Sequence, residues 1–341
     1  MGRLKTAVRM AGAYVAAFIG AGFASGQEVE LFFASHGKAA LLGILVAWAL
    51  LTAGSALILE RCHDVRAKSY QDLIRAAGER ASPWFDAAYS AFTMVGLAVM
   101  LAGCAEIVRG EMGVMGGGVL TGAAVVAVIC LGQERVLRVN SLLAVLLVIS
   151  LSVPCLGLLK ESGLSALDAA GEADAPRQLS SALSSALLYA GYNLTFSIAV
   201  WSSFHRTLRT RWERAASAAL GNAVVACLLL IVTLALWAEG STGPHAMPLR
   251  AVTVAWREEL VPIWSAVIYL AMFSTALTHA YALAVRAVEQ SSLNLPTSAL
   301  AVTAGALALA GFGFRPLVSR AYPLVGVIGL VGLAVLLRRR Q

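Results

Sequence analysis

The chain has 341 residues, of which 59% are apolar and 13% charged, with a mean hydropathy of +0.77 and a formal net charge of +7. Soluble domains carry about 25% charged residues, so this composition excludes a soluble enzyme or binding module and points to a membrane protein. The excess of positive charge requires no nucleic acid as partner, because basic runs such as 206–214 and 338–340 suit the anionic surface of membrane lipids.

Apolar stretches near 20 residues recur along the chain, and each can cross a hydrocarbon core of about 30 Å. They predict an all-α membrane protein with about ten spans, at 8–34, 39–59, 83–107, 113–132, 139–159, 179–202, 213–238, 259–288, 294–313 and 317–337. No cleavable leader is expected, since the first apolar segment is too long and too rich in glycine. An even number of spans puts both termini on one side. Lys and Arg concentrate in the segments that share a side with the N-terminus. The positive-inside rule then places both termini in the cytoplasm, and the membrane is expected to be a cytoplasmic (inner) one.

The first span carries Gly20-Ala21-Gly22-Phe23-Ala24-Ser25-Gly26-Gln27-Glu28. Three glycines allow backbone angles that other residues resist, so this span is expected to break. Open backbone at that depth is tolerated only where it faces protein or a water-lined cavity, and carriers use such broken helices to hold ions and solutes. Carbonyls near Phe18 and Ala21 become available to a cation. Amides around Ser25 and Gln27, at the start of the second half-helix, suit an anion. Glu28 follows the break directly. A carboxylate inside a span is costly and marks function by default: it can pair with a substrate amine, bind a cation or carry a coupling proton. A glycine-rich packing face on an intact helix, with Glu28 and Glu30 wet at the outer end, is the plainer alternative, and Glu30 is assigned to it.

In the third span Tyr89 and Thr93 are possible site-facing residues, while Asp86 reads as wet near the cytoplasmic end and Glu106 as interfacial near the external end. Between the second and third spans, Ser69-Tyr70-Gln71-Asp72 resembles a capping box and predicts a helical cytoplasmic connection. Gly113, Gly116, Gly117, Gly118 and Gly122 in the fourth span, with Gly326, Gly329 and Gly332 in the tenth, read as small residues at close helix contacts.

A polar linker near 160–178 divides one transmembrane domain, 1–341, into halves of five spans, about 8–159 and 179–338. Five is odd, so the halves insert with opposite orientation. Each begins with a glycine-interrupted span and has its longest connection after its second span, the layout of an inverted repeat. The sixth span holds Tyr189-Ala190-Gly191-Tyr192-Asn193. A second break is expected at Gly191, with Tyr192 and Asn193 closing over a solute. The external connection starts with Gly240-Ser241-Thr242-Gly243-Pro244, a turn, and is expected to hold a short helix before Glu258. In the eighth span Ser274, Thr278 and Tyr281 share one face, and hydroxyls there, with Thr275, offer a hard cation the oxygen ligands it prefers. They can equally bond back to their own helix. His279 reads as a core histidine or a proton shuttle.

The five cysteines lack metal or redox spacing and the five histidines lack metal spacing, so no cofactor and no disulfide framework is expected. No nucleophile–base pair or phosphate loop appears at useful spacing, so the chain is not expected to be an enzyme.

The motif at 20–28, followed by Phe32-Phe33, resembles the signature of the YkvI family of bacterial membrane proteins. Tyr192-Asn193-Leu194 and Ser274-Thr275-Ala276-Leu277 are similar to that family's sixth and eighth spans. The family is placed among the amino acid–polyamine–organocation transporters. The resemblance therefore implies a LeuT-like 5+5 inverted repeat, with broken helices 1 and 6 and a substrate site between spans one, three, six and eight. It also implies, in sodium-coupled members, a cation site between the first-span break and the eighth span, for which the carbonyls near Phe18 and Ala21 and the hydroxyls of Ser274 and Thr275 are the candidate ligands, with Na⁺ then the coupling ion. The expected function is secondary active transport of a small organic solute such as an amino acid or amine, coupled to sodium or protons and working by alternating access. A ligand-sensing membrane receptor on the same fold is the alternative. The expected solute contacts are Gly20, Gly22, Ser25, Gly26, Gln27, Glu28, Tyr89, Tyr192 and Asn193. The expected partners are this solute and membrane lipids.

Overall fold

The computed structural model describes residues 2–67, 72–73, 76, 82–131, 133–163, 165–168, 175–240 and 246–337. The expected capping box at 69–72 lies largely outside these residues, as do the turn at 241–245 and the side chain of Asp86. All regular structure among the described residues is helical.

The first span is three pieces, α1 (Gly2–Phe18), α2 (Ala21–Ala24) and α3 (Gln27–Phe32). After it come α4 (Ala39–Asp64), α5 (Ser82–Met112), α6 (Gly117–Cys130), α7 (Gln133–Ser162), the short α8 (Ser165–Asp168) and α9 (Ala175–Phe204). The remaining helices are α10 (Arg211–Glu239), α11 (Pro248–Trp256), α12 (Val261–Gln290), α13 (Leu295–Ala310) and α14 (Phe314–Leu337). Among the described residues six helices are long and apolar enough to cross a membrane, and α6 and α13 are shorter apolar helices. The short external helix expected before Glu258 is α11.

Local chemistry sets several ends. Thr210 and Glu213 form a reciprocal capping box at the start of α10, and Gly240 ends that helix at φ 77°, the left-handed conformation that glycine adopts most cheaply. The Asn294 side chain accepts from the Thr297 amide at the start of α13, where Pro296 needs no amide partner. Gly113 and Gly116 have φ values of 67° and 92° in the turn between α5 and α6. These two are turn residues rather than the packing residues expected, whereas Gly118 and Gly122 do abut α13 through Leu307.

Helices α1, α4, α9 and α10 pack on one another, and α5, α6, α12 and α13 form a second group. Helix α7 touches both α10 and α12, while α14 lies against α9 and α5. The first group is joined by a buried polar node. The Tyr14 hydroxyl donates to Asn222 Oδ1 at 3.0 Å and lies 3.2 Å from Ser197 Oγ. Asn222 Nδ2 donates to Ser55 Oγ at 3.2 Å and to the Ala218 carbonyl at 2.9 Å. Between the end of α4 and the start of α10, Arg214 makes a bidentate pair with Glu60 at 2.9 and 3.1 Å.

The sixth-span break does not occur. Helix α9 runs unbroken from Ala175 to Phe204. Gly191 instead lies against the Gly326 backbone, and a Cβ on Gly326 or Gly329 would overlap the carbonyl of Leu188 or Gly191. These glycines let α9 and α14 approach closely. The polar residues around Gly191 turn back on their own helix: Asn193 Nδ2 donates to the Tyr189 carbonyl at 3.0 Å and Thr195 to the Gly191 carbonyl at 2.9 Å.

Candidate functional site

The first span opens at Ile19-Gly20 and again at Ser25-Gly26. The Gly20 amide donates to the Phe18 carbonyl at 2.8 Å, and the Ala24 amide donates to the Gly20 carbonyl at 3.0 Å. At the second interruption Gly26 has φ 83°. The Ser25 hydroxyl donates to the Gly22 carbonyl at 2.8 Å and accepts from the Gln27 amide at 3.3 Å. The Ser25 carbonyl accepts from the Leu249 amide of α11 at 3.0 Å, so α11 caps this turn. Several amides expected to face an anion are thus engaged within the chain. Gln27 Nε2 donates to Glu30 at 3.1 Å, and Glu30 is 6% exposed. Glu30 is therefore buried rather than wet.

Beside the break lies a cavity of about 620 Å³. Its wall brings together Phe18, Gly20, Gly22 and Glu28 from the first span, Tyr192 and Asn193 from α9, and Ser274 and Thr275 from α12. Thr278 and His279 also line it. Glu28 is 3% exposed, and the Tyr192 hydroxyl donates to its carboxylate at 3.4 Å. A Cβ on Gly22 would overlap that carboxylate, and one on Gly96 would meet the His279 ring at 2.6 Å, so two glycines make room for the carboxylate and the imidazole of the wall.

Of the other expected residues, Ser25, Gly26 and Gln27 build the turn behind the cavity instead of lining it. Tyr89 lines a separate apolar groove between α5, α9 and α14. Thr93 is buried and donates to the Tyr89 carbonyl at 2.7 Å. Ala21 supplies backbone to the first turn of α2. The Thr275 and Thr278 hydroxyls donate to the Ala271 and Ser274 carbonyls, both at 3.0 Å. Their oxygens keep lone pairs for a further partner. Sequence reasoning missed Phe92, Phe196 and Tyr322, which line the cavity. Tyr322 stacks on Tyr192 with centroids 4.6 Å apart, and the Phe92 ring stands edge-on to Tyr192 at 5.9 Å. In the sequence all three look like ordinary apolar residues of spans.

No family model matches the chain. It is 25% identical over 344 residues to the uncharacterized membrane protein YkvI of Bacillus subtilis (strain 168), covering 98% of this chain and 96% of that protein. Among solved structures it is similar to the inward facing conformation of Mhp1, with a TM-score of 0.68, 14% identity, 98% of this chain covered and 75% of that one. The chain is a homologue of YkvI with a LeuT-type fold. At 14% identity the likeness to Mhp1 speaks for the fold alone. With its apolar helices and its relationship to YkvI, the chain is a membrane protein.

Proposed function

We propose that the chain is a secondary active transporter of a small organic solute such as an amino acid or amine, coupled to sodium or protons and working by alternating access. The observation that carries this reading is the single cavity in which an interrupted helix, a buried carboxylate and a hydroxyl-bearing helix meet. A site of this kind, formed by discontinuous helices and deep in the protein, is how carriers hold cargo. The ten-span, five-plus-five arrangement with both termini in the cytoplasm is part of the proposal. Helices occupy each of the ten expected positions among the described residues, which supports it.

In this topology the lining extends to Ala13, Leu147 and Phe204, which belong to the cytoplasmic halves of their helices. The opposite end is covered by α11, held to the break through Leu249 and Ser25. The arrangement supports an inward-open state. Alternating access then consists of movement of α1, α4, α9 and α10 against α5, α6, α12 and α13. The polar node at Tyr14 and Asn222 supports joint movement of the first group. With α9 continuous, the hinge lies in the first span. The Phe18 and Ala21 carbonyls and the Ser274 and Thr275 hydroxyls are the sodium ligands of this proposal. A coupling ion biases the two states only through its differential affinity for them.

The test is uptake of radiolabelled solutes by proteoliposomes under imposed sodium and proton gradients. Accumulation above equilibrium driven by either gradient supports a carrier. Saturable binding with no accumulation identifies a receptor, and gradient-independent flux that never exceeds equilibrium identifies a channel.

A further inference from the structure

The cavity beside the break is charged in one sense only. Glu28 is the one carboxylate of its wall, and among the described residues no Lys or Arg lines it. The one hydrogen bond described for this carboxylate comes from Tyr192 at the long distance of 3.4 Å. Among the described residues none of the ion pairs involves Glu28. A carboxylate removed from water with no counter-charge is strongly disfavoured, and a cation seated against it supplies what is missing. The wall around Glu28 is aromatic, with Phe18, Phe92, Tyr192, Phe196 and Tyr322. Ring faces attract cations, and most strongly where water is excluded.

Among the described residues no Lys or Arg stands on this wall to meet an anion. The amides of Gly20, Ala24, Gly26 and Gln27, around the break, already donate within the chain. A carboxylate held near them would also lie close to Glu28 and be repelled by it. His279 is the one other ionisable group of basic type on the wall. It lies on α12, against Gly96 of α5.

We infer that the cavity between the first-span break and the stacked Tyr192–Tyr322 pair takes an organic cation, an amine or quaternary ammonium with an apolar body and no carboxylate. Glu28 is its counter-ion and the aromatic rings are its walls. This inference rests on the carrier reading and narrows it, because a zwitterionic amino acid would bring its own carboxylate close to Glu28 with no Lys or Arg of the wall beside it.

The test is binding to the full-length protein in detergent, by isothermal titration, with probes that share a skeleton and differ in charge. Phenethylamine, phenylalanine and hydrocinnamate form one set, and choline and glycine betaine form another. Phenethylamine or choline should bind at least about tenfold more tightly than its carboxylate-bearing counterparts. Glu28→Gln, which preserves shape and can still accept from Tyr192, should remove at least about tenfold of that affinity. Phe92→Leu takes away a ring without touching the carboxylate, and it should weaken binding of the same cation several-fold. Equal or tighter binding of phenylalanine or betaine overturns the inference. So does an affinity for the cation that neither substitution changes, or the failure of both cations to bind at millimolar concentration. Cation binding with no accumulation in proteoliposomes defeats the carrier reading and leaves this assignment intact. Accumulation restricted to carboxylate-bearing solutes does the reverse.

Discussion

Gly22 and Glu28 share one space: a Cβ on Gly22 would overlap the carboxylate oxygen Oε1 of Glu28. The two residues lie on successive short helices, so the chain folds the acidic side chain back over the break that precedes it. Gly22→Ala should displace the carboxylate and lower solute uptake by about an order of magnitude. Gly20, also in the break, has nothing within 4 Å of a built Cβ. Gly20→Ala should therefore change stability by no more than about 0.5 kcal/mol, as open sites do. Uptake assays paired with thermal melts check both, and equal uptake by the Gly22→Ala and wild-type proteins would refute the first.

Gly26 couples backbone conformation to packing. Its φ of 83° is unfavourable for a side chain, and a Cβ there would meet Leu249 Cγ at 2.9 Å and the Leu249 amide nitrogen at 3.0 Å. Gly240 has a similar φ of 77° with open space around it. Left-handed backbone costs about 1–2 kcal/mol for a residue with a side chain. Gly240→Ala should cost that amount, and Gly26→Ala distinctly more, because α11 must also shift. Thermal denaturation of the two variants side by side is the check. Equal losses would mean that α11 does not rest on the break.

The node between Tyr14 and Asn222 joins four helices. Tyr14→Phe leaves Asn222 Oδ1 without the donor now at 3.0 Å, and an unpaired buried acceptor costs about 1–3 kcal/mol. Combining Tyr14→Phe with Asn222→Leu should cost less than the two separate changes added together, with a coupling of about 0.5–3 kcal/mol. A double-mutant cycle read by chemical or thermal unfolding measures it. Strict additivity would show that the two side chains do not act together.

Sodium coupling makes a separate demand on α12. Ser274 and Thr275 line the cavity with Phe18 and Gly20, and replacing both hydroxyls by alanine removes two oxygen ligands from the proposed ion site. The sodium concentration for half-maximal uptake should rise about tenfold, corresponding to about 1.4 kcal/mol of lost ion binding. An unchanged sodium dependence would move the coupling role to Glu28 and a proton.

The first-span break was legible because its glycines stand next to a carboxylate and an amide inside an apolar run, a conflict that an intact lipid-facing helix cannot resolve. The same reading failed at Gly191. There a glycine and an asparagine also sit together, but the glycine is used for contact with Gly326 and the asparagine bonds back to Tyr189. A close-packing glycine and a helix-breaking glycine look alike until the neighbouring helix is known. Tyr89 shows a related limit, since helical spacing places it on a face without telling which neighbour that face meets. Tyr322, Phe92 and Phe196 were hidden for the opposite reason: an aromatic residue in an apolar span is indistinguishable in sequence from one that faces lipid.

The central claim is that the interrupted first span and Glu28 together form the solute site. Uptake by proteoliposomes of wild-type protein and of Glu28→Gln, compared at equal reconstitution and with melting temperatures measured on the same preparations, tests it most directly. The account predicts saturable accumulation by the wild type and loss of at least about 90% of it in Glu28→Gln, tenfold or about 1.4 kcal/mol, with the fold retained. Accumulation by a folded Glu28→Gln protein at the wild-type rate and half-saturation would contradict it.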